Sequence, residues 1–347
     1  MILKKLLKIP RSLQRSLSIL SWVVLLFLSG CGALRKGPEL AQEAVDLNNK
    51  GFDYYREGRF EQALENYQKA LNLNRVIDNR RGVAASLNNM GALYERRGDL
   101  ERALDYYKQA LEANRQAENP SGIVANLNNI GGVYETLGNL QTALNYYQEA
   151  LKLSERIEDQ KGIALSLNNI GHWLKVKGYY QDALKYYERA LEIDTKLKNQ
   201  AGMAIRLNNI GAVHQALGDL PKALSYYQQA LEMDKRIENL DGIASGLMNI
   251  AELYKTWGNL DTALDYYQRA LVVNRALGGS TRIAYNLRKI ADVYQAKKED
   301  GKAQEYYRKA LQPLDSAEEK KELVKEVQPE PGGQQEGAQM NTNEHNR

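Results

Sequence analysis

Two kinds of side chain stand out as candidates for chemistry in this sequence, a single cysteine and a row of regularly spaced asparagines. The cysteine is Cys31, and with one Cys and three His in 347 residues we expect neither a disulfide framework nor a metal site. The asparagines recur every 40 residues until Lys289 takes the seventh place; they are Asn49, Asn89, Asn129, Asn169, Asn209 and Asn249. A carboxamide offers donors and an acceptor together, which suits pairing with the main chain of an extended peptide.

Patterns typical of catalysis are missing from the sequence. No Ser or Cys has a His and an acidic residue at a motif-like spacing, and no Gly-rich loop follows a predicted strand. We therefore expect no enzymatic activity and no cofactor.

The N-terminal segment has the layout of a secretory signal. Residues 1–18 are basic, residues 19–28 are almost wholly apolar, and Leu28-Ser29-Gly30-Cys31 follows at once. These four residues resemble the lipobox of bacterial lipoproteins, which implies removal of a signal peptide at 1–30, lipidation of Cys31 and a linker at 31–40. Two or more acyl chains would anchor the chain stably in a membrane. The alternative interpretation is an N-terminal helix that is not cleaved.

The net charge of +4 comes from this leader. It carries five basic residues and no acidic one, so the remainder has 42 basic against 43 acidic residues. A chain balanced in this way is not expected to bind nucleic acid.

In lipoproteins of bacteria with two membranes, Asp after the cysteine favours the inner membrane. Because Gly32 is not Asp, we expect the periplasmic face of the outer membrane, within the cell envelope, if the source has two membranes.

The remainder of the chain is a repeat of 40 residues that occurs seven times. Blocks related to L-N-N-K-G begin at Leu47 and at every fortieth residue to Leu287. In the first half of a unit, Leu87, Met90, Gly91 and Tyr94 follow a helical spacing of apolar positions. In the second half, Ala and Tyr recur at the same spacing, as at Ala103, Tyr107 and Ala110. A Gly separates the halves, so each unit is predicted to be two amphipathic helices joined by a turn.

This pattern resembles the tetratricopeptide repeat, in the 40-residue form known from kinesin light chains and Pins-type scaffold proteins. The resemblance covers residues 41–316 and implies an all-α, right-handed superhelical solenoid of seven helix-turn-helix units. It also implies that the first helix of each unit lines the concave wall, and that the asparagines listed above bind the main chain of a ligand. Residues 317–347 are predicted to form a short capping helix and a disordered polar tail.

Helical geometry predicts which residues face the groove. At about 100° per residue, the positions opposite the apolar stripe are those of Val45, Asn49, Phe52 and Arg56. When these positions are followed through the seven repeats, their side chains are basic in the first repeats, small and apolar in the middle repeats and acidic in the last repeats. Besides the asparagines, the groove residues predicted in this way are Arg56, Arg96, Leu165, His172, Ile205, Glu252 and Asp292. The alternative is an asparagine ladder that only positions the repeats, which we favour for Asn48, Asn88, Asn128, Asn168 and Asn208.

The sequence thus predicts a membrane-anchored scaffold that binds an extended peptide or a partner protein in its concave groove. Two other functions stay open. One is a pilotin-like factor that assembles machinery of the cell envelope, and the other is a regulatory receptor that senses a peptide.

Overall fold

The computed structural model describes residues 37–311, which fold into seven helical hairpins. Within this range the helices are α1 (Gly37–Arg56), α2 (Phe60–Val76), α3 (Arg80–Arg96), α4 (Leu100–Gln116), α5 (Pro120–Thr136), α6 (Leu140–Arg156), α7 (Gln160–Val176), α8 (Tyr180–Lys196), α9 (Gln200–Ala216), α10 (Leu220–Arg236), α11 (Leu240–Thr256), α12 (Leu260–Leu277), α13 (Ser280–Ala296) and α14 (Asp300–Leu311).

Each hairpin pairs an odd-numbered first helix with an even-numbered second helix, and the second helix packs against the first helix of the next hairpin. No strand occurs in the described range. The predicted all-α solenoid of 40-residue units is therefore confirmed. The predicted signal peptide at 1–30, Cys31 and the segment 317–347 lie outside the described residues, and α1 begins at Gly37, within the predicted linker.

The turn inside each hairpin depends on one residue in the left-handed conformation. Gly98 has φ of 79° and the other glycines of this register are similar, a conformation that is easily reached only without a Cβ. In the seventh hairpin Lys298 takes this place with φ of 60°. In the second hairpin the next residue caps the following helix, since Asp99 accepts a hydrogen bond from the main-chain N–H of Arg102. Asn139, in the same register of the third hairpin, makes no capping hydrogen bond through its side chain.

Within a hairpin the predicted apolar stripes form the core. Leu87, Met90 and Tyr94 of α3 are buried against Ala103 and Tyr107 of α4. The alanines let the two helices approach closely, and the tyrosine ring fills the space beside them.

Consecutive hairpins meet along a row of buried side chains near the ends of the second helices. We call them the seam residues; they are Asn74, Asn114, Ser154, Asp194, Asp234 and Asn274. Each of the first five lies against a glycine near the start of the next first helix, and we call these the seam glycines: Gly82, Gly122, Gly162, Gly202 and Gly242. A Cβ on Gly82 would collide with the Asn74 side chain. The glycines therefore set how closely one hairpin approaches the next.

An asparagine immediately before the first helix fixes this contact. Asn79 accepts a hydrogen bond from the main-chain N–H of Gly82 at 3.1 Å and donates one to Asn74 Oδ1 at 2.8 Å. Asn119 bonds Gly122 and Asn114 in the same way. A helix cap and a contact between hairpins are thus made by one side chain.

Two seams carry a buried carboxylate in different surroundings. Asp194 Oδ2 lies 3.1 Å from Nε of Arg206, and their side chains are 1% and 6% exposed. This contact is an ion pair without an aligned hydrogen bond between the two atoms. Burial lowers the pKa of Arg206, and the Asp194 carboxylate opposes that shift. At the next seam Asp234 is 2% exposed, but Gly246 occupies the register of Arg206, and burial raises the pKa of Asp234.

The same substitution at these two seams should therefore have opposite effects on stability. Asp194→Asn leaves a buried guanidinium without its counter-ion, which costs on the order of 3 kcal/mol. Asp234→Asn removes a buried charge and installs the residue found at Asn74 and Asn114, so the melting temperature at neutral pH should rise. Because the pKa of Asp234 is raised in the folded state, the gain should vanish below the ordinary pKa of 3.8, where wild-type Asp234 is protonated in both states.

Thermal unfolding of the two variants, followed by circular dichroism between acid and neutral pH, tests this difference. A loss of stability in both variants at neutral pH would contradict it.

Candidate peptide-binding groove

The first helices form the inner wall of the solenoid. Each of α1, α3, α5, α7 and α9 contacts the first helix of the following hairpin, while the second helices pack behind them. The positions predicted to face the groove at Val45 and Arg56 are exposed throughout the repeats. We use the name groove for this inner wall.

The centre of the groove carries apolar side chains that nothing in the described residues covers. Ile205 is 51% exposed and Val176 is 50% exposed, with Leu165 beside them in the register of Ile205. Ala85, Ala125 and Ala216 extend the exposed stripe with small side chains. An uncovered stripe of this kind is typical of a binding surface.

The predicted asparagines form hydrogen bonds between hairpins. Each donates through Nδ2 to Oδ1 of an asparagine 41 residues earlier, and we call this arrangement the asparagine ladder. Its donors and acceptors are Asn89 to Asn48 (3.4 Å), Asn129 to Asn88 (2.8 Å), Asn169 to Asn128 (3.0 Å), Asn209 to Asn168 (2.7 Å) and Asn249 to Asn208 (3.3 Å). Asn49 belongs to the first hairpin and is exposed.

The ladder uses one N–H of each donor and leaves the oxygen open in four of the five donors. Among residues 37–311, no hydrogen bond reaches Oδ1 of Asn89, Asn129, Asn209 or Asn249; Asn169 Oδ1 accepts one from Asn168 at 3.3 Å. The ladder donors are half-buried. The sequence predicted amides free for a ligand, whereas the structure shows amides held in one orientation with an acceptor still available. Their binding to a ligand stays a prediction.

The acceptor asparagines make further bonds between hairpins. Asn48 donates to Ser86 Oγ at 3.1 Å, and Asn128 donates to Ser166 Oγ at 3.0 Å. The structure thus places this second series at the contacts between repeats.

At the N-terminal end of the groove the two predicted arginines differ in their surroundings. The Arg96 guanidinium lies 4.7 Å from the centre of the Tyr55 ring and donates to the Tyr55 carbonyl at 3.3 Å. Arg56 is exposed. The first side chain is held against the neighbouring hairpin, while the second extends into solvent.

At the C-terminal end the two predicted carboxylates are already engaged. Glu252 accepts hydrogen bonds from the Tyr267 hydroxyl and from Lys289. Burial alone would raise the pKa of Glu252, but these hydrogen bonds and the nearby lysines lower it below its ordinary value. Asp292 accepts a hydrogen bond from the Tyr307 hydroxyl at 2.6 Å. This end of the groove is thus less acidic than its sequence indicates.

His172 belongs to a polar cluster in the middle of the groove. Its Nδ1 lies 2.9 Å from Glu135 Oε1, and the Tyr147 hydroxyl donates to Glu135 Oε2 at 2.8 Å. Burial alone would raise the pKa of Glu135, but the hydrogen bonds from His172 and Tyr147 outweigh it and hold the pKa below its ordinary value. His172 is therefore anchored by its neighbouring hairpin and presents the rest of its ring to the groove.

Glu135 is a groove residue that was not predicted from the sequence. A buried tyrosine hydroxyl needs a hydrogen-bond partner, and in these hairpins the signal is an acceptor 12 residues before the tyrosine, as with Glu95 for Tyr107 and Gln215 for Tyr227. Tyr267 instead donates to Glu252, 15 residues earlier. Lys175 occupies the register of Glu95 in the fourth hairpin, where it cannot accept. The hydroxyl of Tyr187 is accordingly buried without a partner.

None of the helices in residues 37–311 has both the length and the apolar character needed to cross a bilayer.

The family comparison matches the repeated part of the chain. A model of the tetratricopeptide repeat matches residues 43–116, 123–196, 162–236 and 242–312. None of the curated proteins compared with the chain matches it.

Solved structures share the fold at low sequence identity. A Rap protein complexed with Competence and Sporulation Factor has a TM-score of 0.61 and 20% identity, over 82% of this chain and 76% of that one. The Rap conjugation gene regulator of plasmid pLS20, in complex with the Phr* peptide, has a TM-score of 0.61 and 17% identity, over 86% and 79%. BtubC (BKLC) from P. vanneervenii has a TM-score of 0.52 and 20% identity, over 71% and 99%. At these identities the likeness concerns the fold alone.

Replacing Glu135 by Gln should destabilise the protein only where the carboxylate is charged. Gln215 accepts from Tyr227 in the same register, so the bond from Tyr147 should survive. The depressed pKa of Glu135 stabilises the folded state above the ordinary value of 4.5, and this contribution is lost as the pH falls through the folded-state pKa. The melting temperature of Glu135→Gln should therefore lie below that of the wild type at neutral pH and converge with it in acid.

The measurement is thermal unfolding of both proteins from neutral pH to below 4.5, the ordinary pKa of Glu135. A difference that stays constant over this range would show that the charge of Glu135 contributes nothing.

Proposed function

Because the chain belongs to the tetratricopeptide repeat family, we propose that its groove binds an extended peptide, or an extended segment of a partner protein. The role is one of binding rather than catalysis. The observation that carries the proposal is the row of ladder donors, whose amides are held by one N–H and, except at Asn169, keep an open oxygen. Main-chain N–H groups of a peptide lying along the groove could donate to these oxygens, whatever the peptide sequence.

The side chains around the ladder favour a particular kind of peptide. The exposed Leu165, Val176 and Ile205 suit apolar residues in the middle of the ligand. The exposed Arg56 suits an acidic residue at the end that lies on the first hairpins. Glu252 and Asp292 suit a basic residue at the opposite end, which would compete with Lys289 for Glu252.

Anchoring of the chain in a membrane is a further part of the proposal. It rests on the lipobox-like Leu28-Ser29-Gly30-Cys31 after an apolar stretch. A lipid on Cys31 would hold the solenoid at the cell envelope, on the periplasmic face of the outer membrane if the source has two membranes, where the groove would recruit its partner. A pilotin-like assembly factor would bind a segment of an envelope protein in this way, whereas a peptide-sensing receptor would bind a free peptide.

Peptides selected on the full-length chain from a random display library should lose affinity when three ladder donors are replaced together. Each hydrogen bond to the ligand contributes about 0.5–1.5 kcal/mol, so the variant with Asn129, Asn169 and Asn209 changed to Ala should bind roughly 10-fold to 1,000-fold more weakly. Isothermal titration calorimetry measures the affinity.

The matched control replaces the acceptors of the same three rungs, Asn88, Asn128 and Asn168, by Ala. It breaks the same three rungs, together with the bonds of Asn88 to Asn126 and of Asn128 to Ser166, but it leaves the donors in the groove. Affinity should therefore change far less, while circular dichroism reports intact helices. Equal losses in the two triple variants would mean that the asparagines only position the hairpins. Unchanged affinity in both would remove the asparagines from the binding site.

Replacing Cys31 by Ser should release the protein from membranes. The hydroxyl cannot take the thioether-linked lipid, so the protein should move from the detergent phase to the aqueous phase in a Triton X-114 partition, and incorporation of labelled palmitate should cease. A Cys31→Ser protein that stays in the detergent phase would instead support the N-terminal helix that is not cleaved.

A further inference from the structure

A lysine on the inner wall of the groove stands where neighbouring hairpins carry hydrogen-bond acceptors. This residue is Lys175, and its register is that of Glu135 in the third hairpin and Gln215 in the fifth, each of which accepts from a tyrosine hydroxyl. His172, at a groove position, lies 2.9 Å from Glu135, so side chains of this register lie just beneath the groove surface. Lys175 is therefore a groove residue that its position in the helix did not predict.

The ammonium group of Lys175 is only partly compensated by its surroundings. The side chain is half-buried, and within residues 37–311 its ammonium group forms neither a hydrogen bond nor an ion pair. Glu135 attracts it from the preceding hairpin, but the two oxygens of that carboxylate are already bonded to His172 and Tyr147. Burial lowers the pKa of Lys175, and the attraction of Glu135 does not offset this shift. The groove thus stabilises the ammonium group less well than water does, and a second carboxylate beside it would be favourable.

Other basic residues of the inner wall already have partners. Lys255 occupies the register of Lys175 in the sixth hairpin, where it lies 3.8 Å from Glu252 on its own helix. In the fourth hairpin the position of Glu252 is taken by His172, which offers no carboxylate. Lys289 also pairs with Glu252, at 3.4 Å. The surroundings of Lys175 therefore differ from those of the other two lysines.

The next hairpin leaves Lys175 uncovered. His172 stands 37 residues after Glu135 and bonds to it, whereas the residue 37 positions after Lys175 is Ala212. A methyl group neither pairs with an ammonium group nor extends over it. Val176, the next residue along the helix, is 50% exposed. The ammonium group is thus open to a ligand, and it lies within the apolar part of the groove.

We propose that Lys175 recognises an acidic side chain in the middle of the bound peptide. The residues of the peptide on either side of this acid are apolar and contact Leu165, Val176 and Ile205. The carboxylate of the ligand pairs with the ammonium group in a setting that apolar side chains shield from water, which strengthens their attraction. This acid is distinct from the one that suits Arg56 at the end of the groove. The inference rests on the proposed function, because it names the class of peptide that the groove takes.

Two replacements of Lys175 should keep the fold because the repeat already carries them in this register. Gln215 accepts from a tyrosine hydroxyl there, and Glu135 does the same. The hydroxyl of Tyr187 is buried without a partner, and either replacement supplies an acceptor for it. Thermal unfolding of Lys175→Gln should therefore show a melting temperature equal to or above that of the wild type.

The test is a double-mutant cycle with the tightest peptide from the display selection, measured by isothermal titration calorimetry on the full-length chain. This peptide should carry Asp or Glu between apolar residues. Changing that acid to its amide, or changing Lys175 to Gln, should each weaken binding at least about tenfold. The amide peptide should bind the wild type and Lys175→Gln equally. A peptide with Lys in place of the acid should bind Lys175→Glu more tightly than it binds the wild type.

Lys177→Gln is the matched control, since it removes the same charge from an exposed side chain in the turn that follows α7. It should leave the affinity of the selected peptide nearly unchanged.

Undiminished binding to a folded Lys175→Gln protein would overturn the proposal, as would additive losses in the cycle, equal losses in Lys177→Gln or a selected peptide without an acid. In each of these cases the triple variant of Asn129, Asn169 and Asn209 still reports whether the groove binds peptides, so the proposed function can stand while this inference fails. A selection that yields no binding peptide would overturn both.

Discussion

The close approach of one hairpin to the next depends on a glycine that leaves room for a buried polar side chain. At each of five junctions a seam residue lies against a seam glycine, and at four of them a Cβ on the glycine would collide with the side chain of the seam residue. Polar groups withdrawn from water must be bonded, and the capping asparagines complete the bonds of the seam residues at four of these junctions. Van der Waals contact and hydrogen bonding thus set the spacing together, and a larger side chain at the glycine changes both.

The uniform spacing is what allows a ladder to form about two turns further along the first helices. Each rung joins residues 41 positions apart, one repeat plus one residue, so every hairpin must be displaced from the last by nearly the same amount. The ladder lies in the groove, where it gives a row of amides one orientation before any ligand arrives. Groups oriented in advance lose less entropy on binding. Because the packing of the seams fixes the ladder, it also prepares the amides for the proposed recognition of a peptide main chain.

The junction between the sixth and seventh hairpins is an exception to this uniform spacing. Where Arg282 replaces the seam glycine, Gly279 also replaces the asparagine that would donate to Asn274 Oδ1, and the ladder stops at Asn249. A cavity lined by charged residues takes the place of a closed seam. Departures from a repeat are expected at terminal units, where capping changes the requirements. Here the altered residues Arg282 and Lys289 form ion pairs with Asp241 and Glu252 of the preceding hairpin.

Much of the fold could be predicted from the sequence because each unit contains its own helical spacing, turn glycine and apolar stripe. Leu87, Met90 and Tyr94 are buried as their periodicity indicates. The bonds between hairpins could not be predicted, since a helical wheel gives the direction of a side chain but not the displacement of the next unit. For that reason Asn129 was placed on the groove without its bond to Asn88. The replacement of a seam glycine by Arg282 can be seen in the sequence. Its effect on the packing could not be predicted, because it depends on the distance between this position and the preceding hairpin.

The most direct test of the central claim is the response of individual asparagine side chains to a bound peptide. In the full chain with ¹⁵N-labelled asparagine, the tightest peptide from the display selection should shift the side-chain NH₂ signals of Asn129, Asn169 and Asn209. The signals of the buried seam residues Asn74 and Asn114 should stay in place. Saturating peptide that leaves all three groove signals unmoved, or that moves the seam signals instead, would contradict recognition by the ladder.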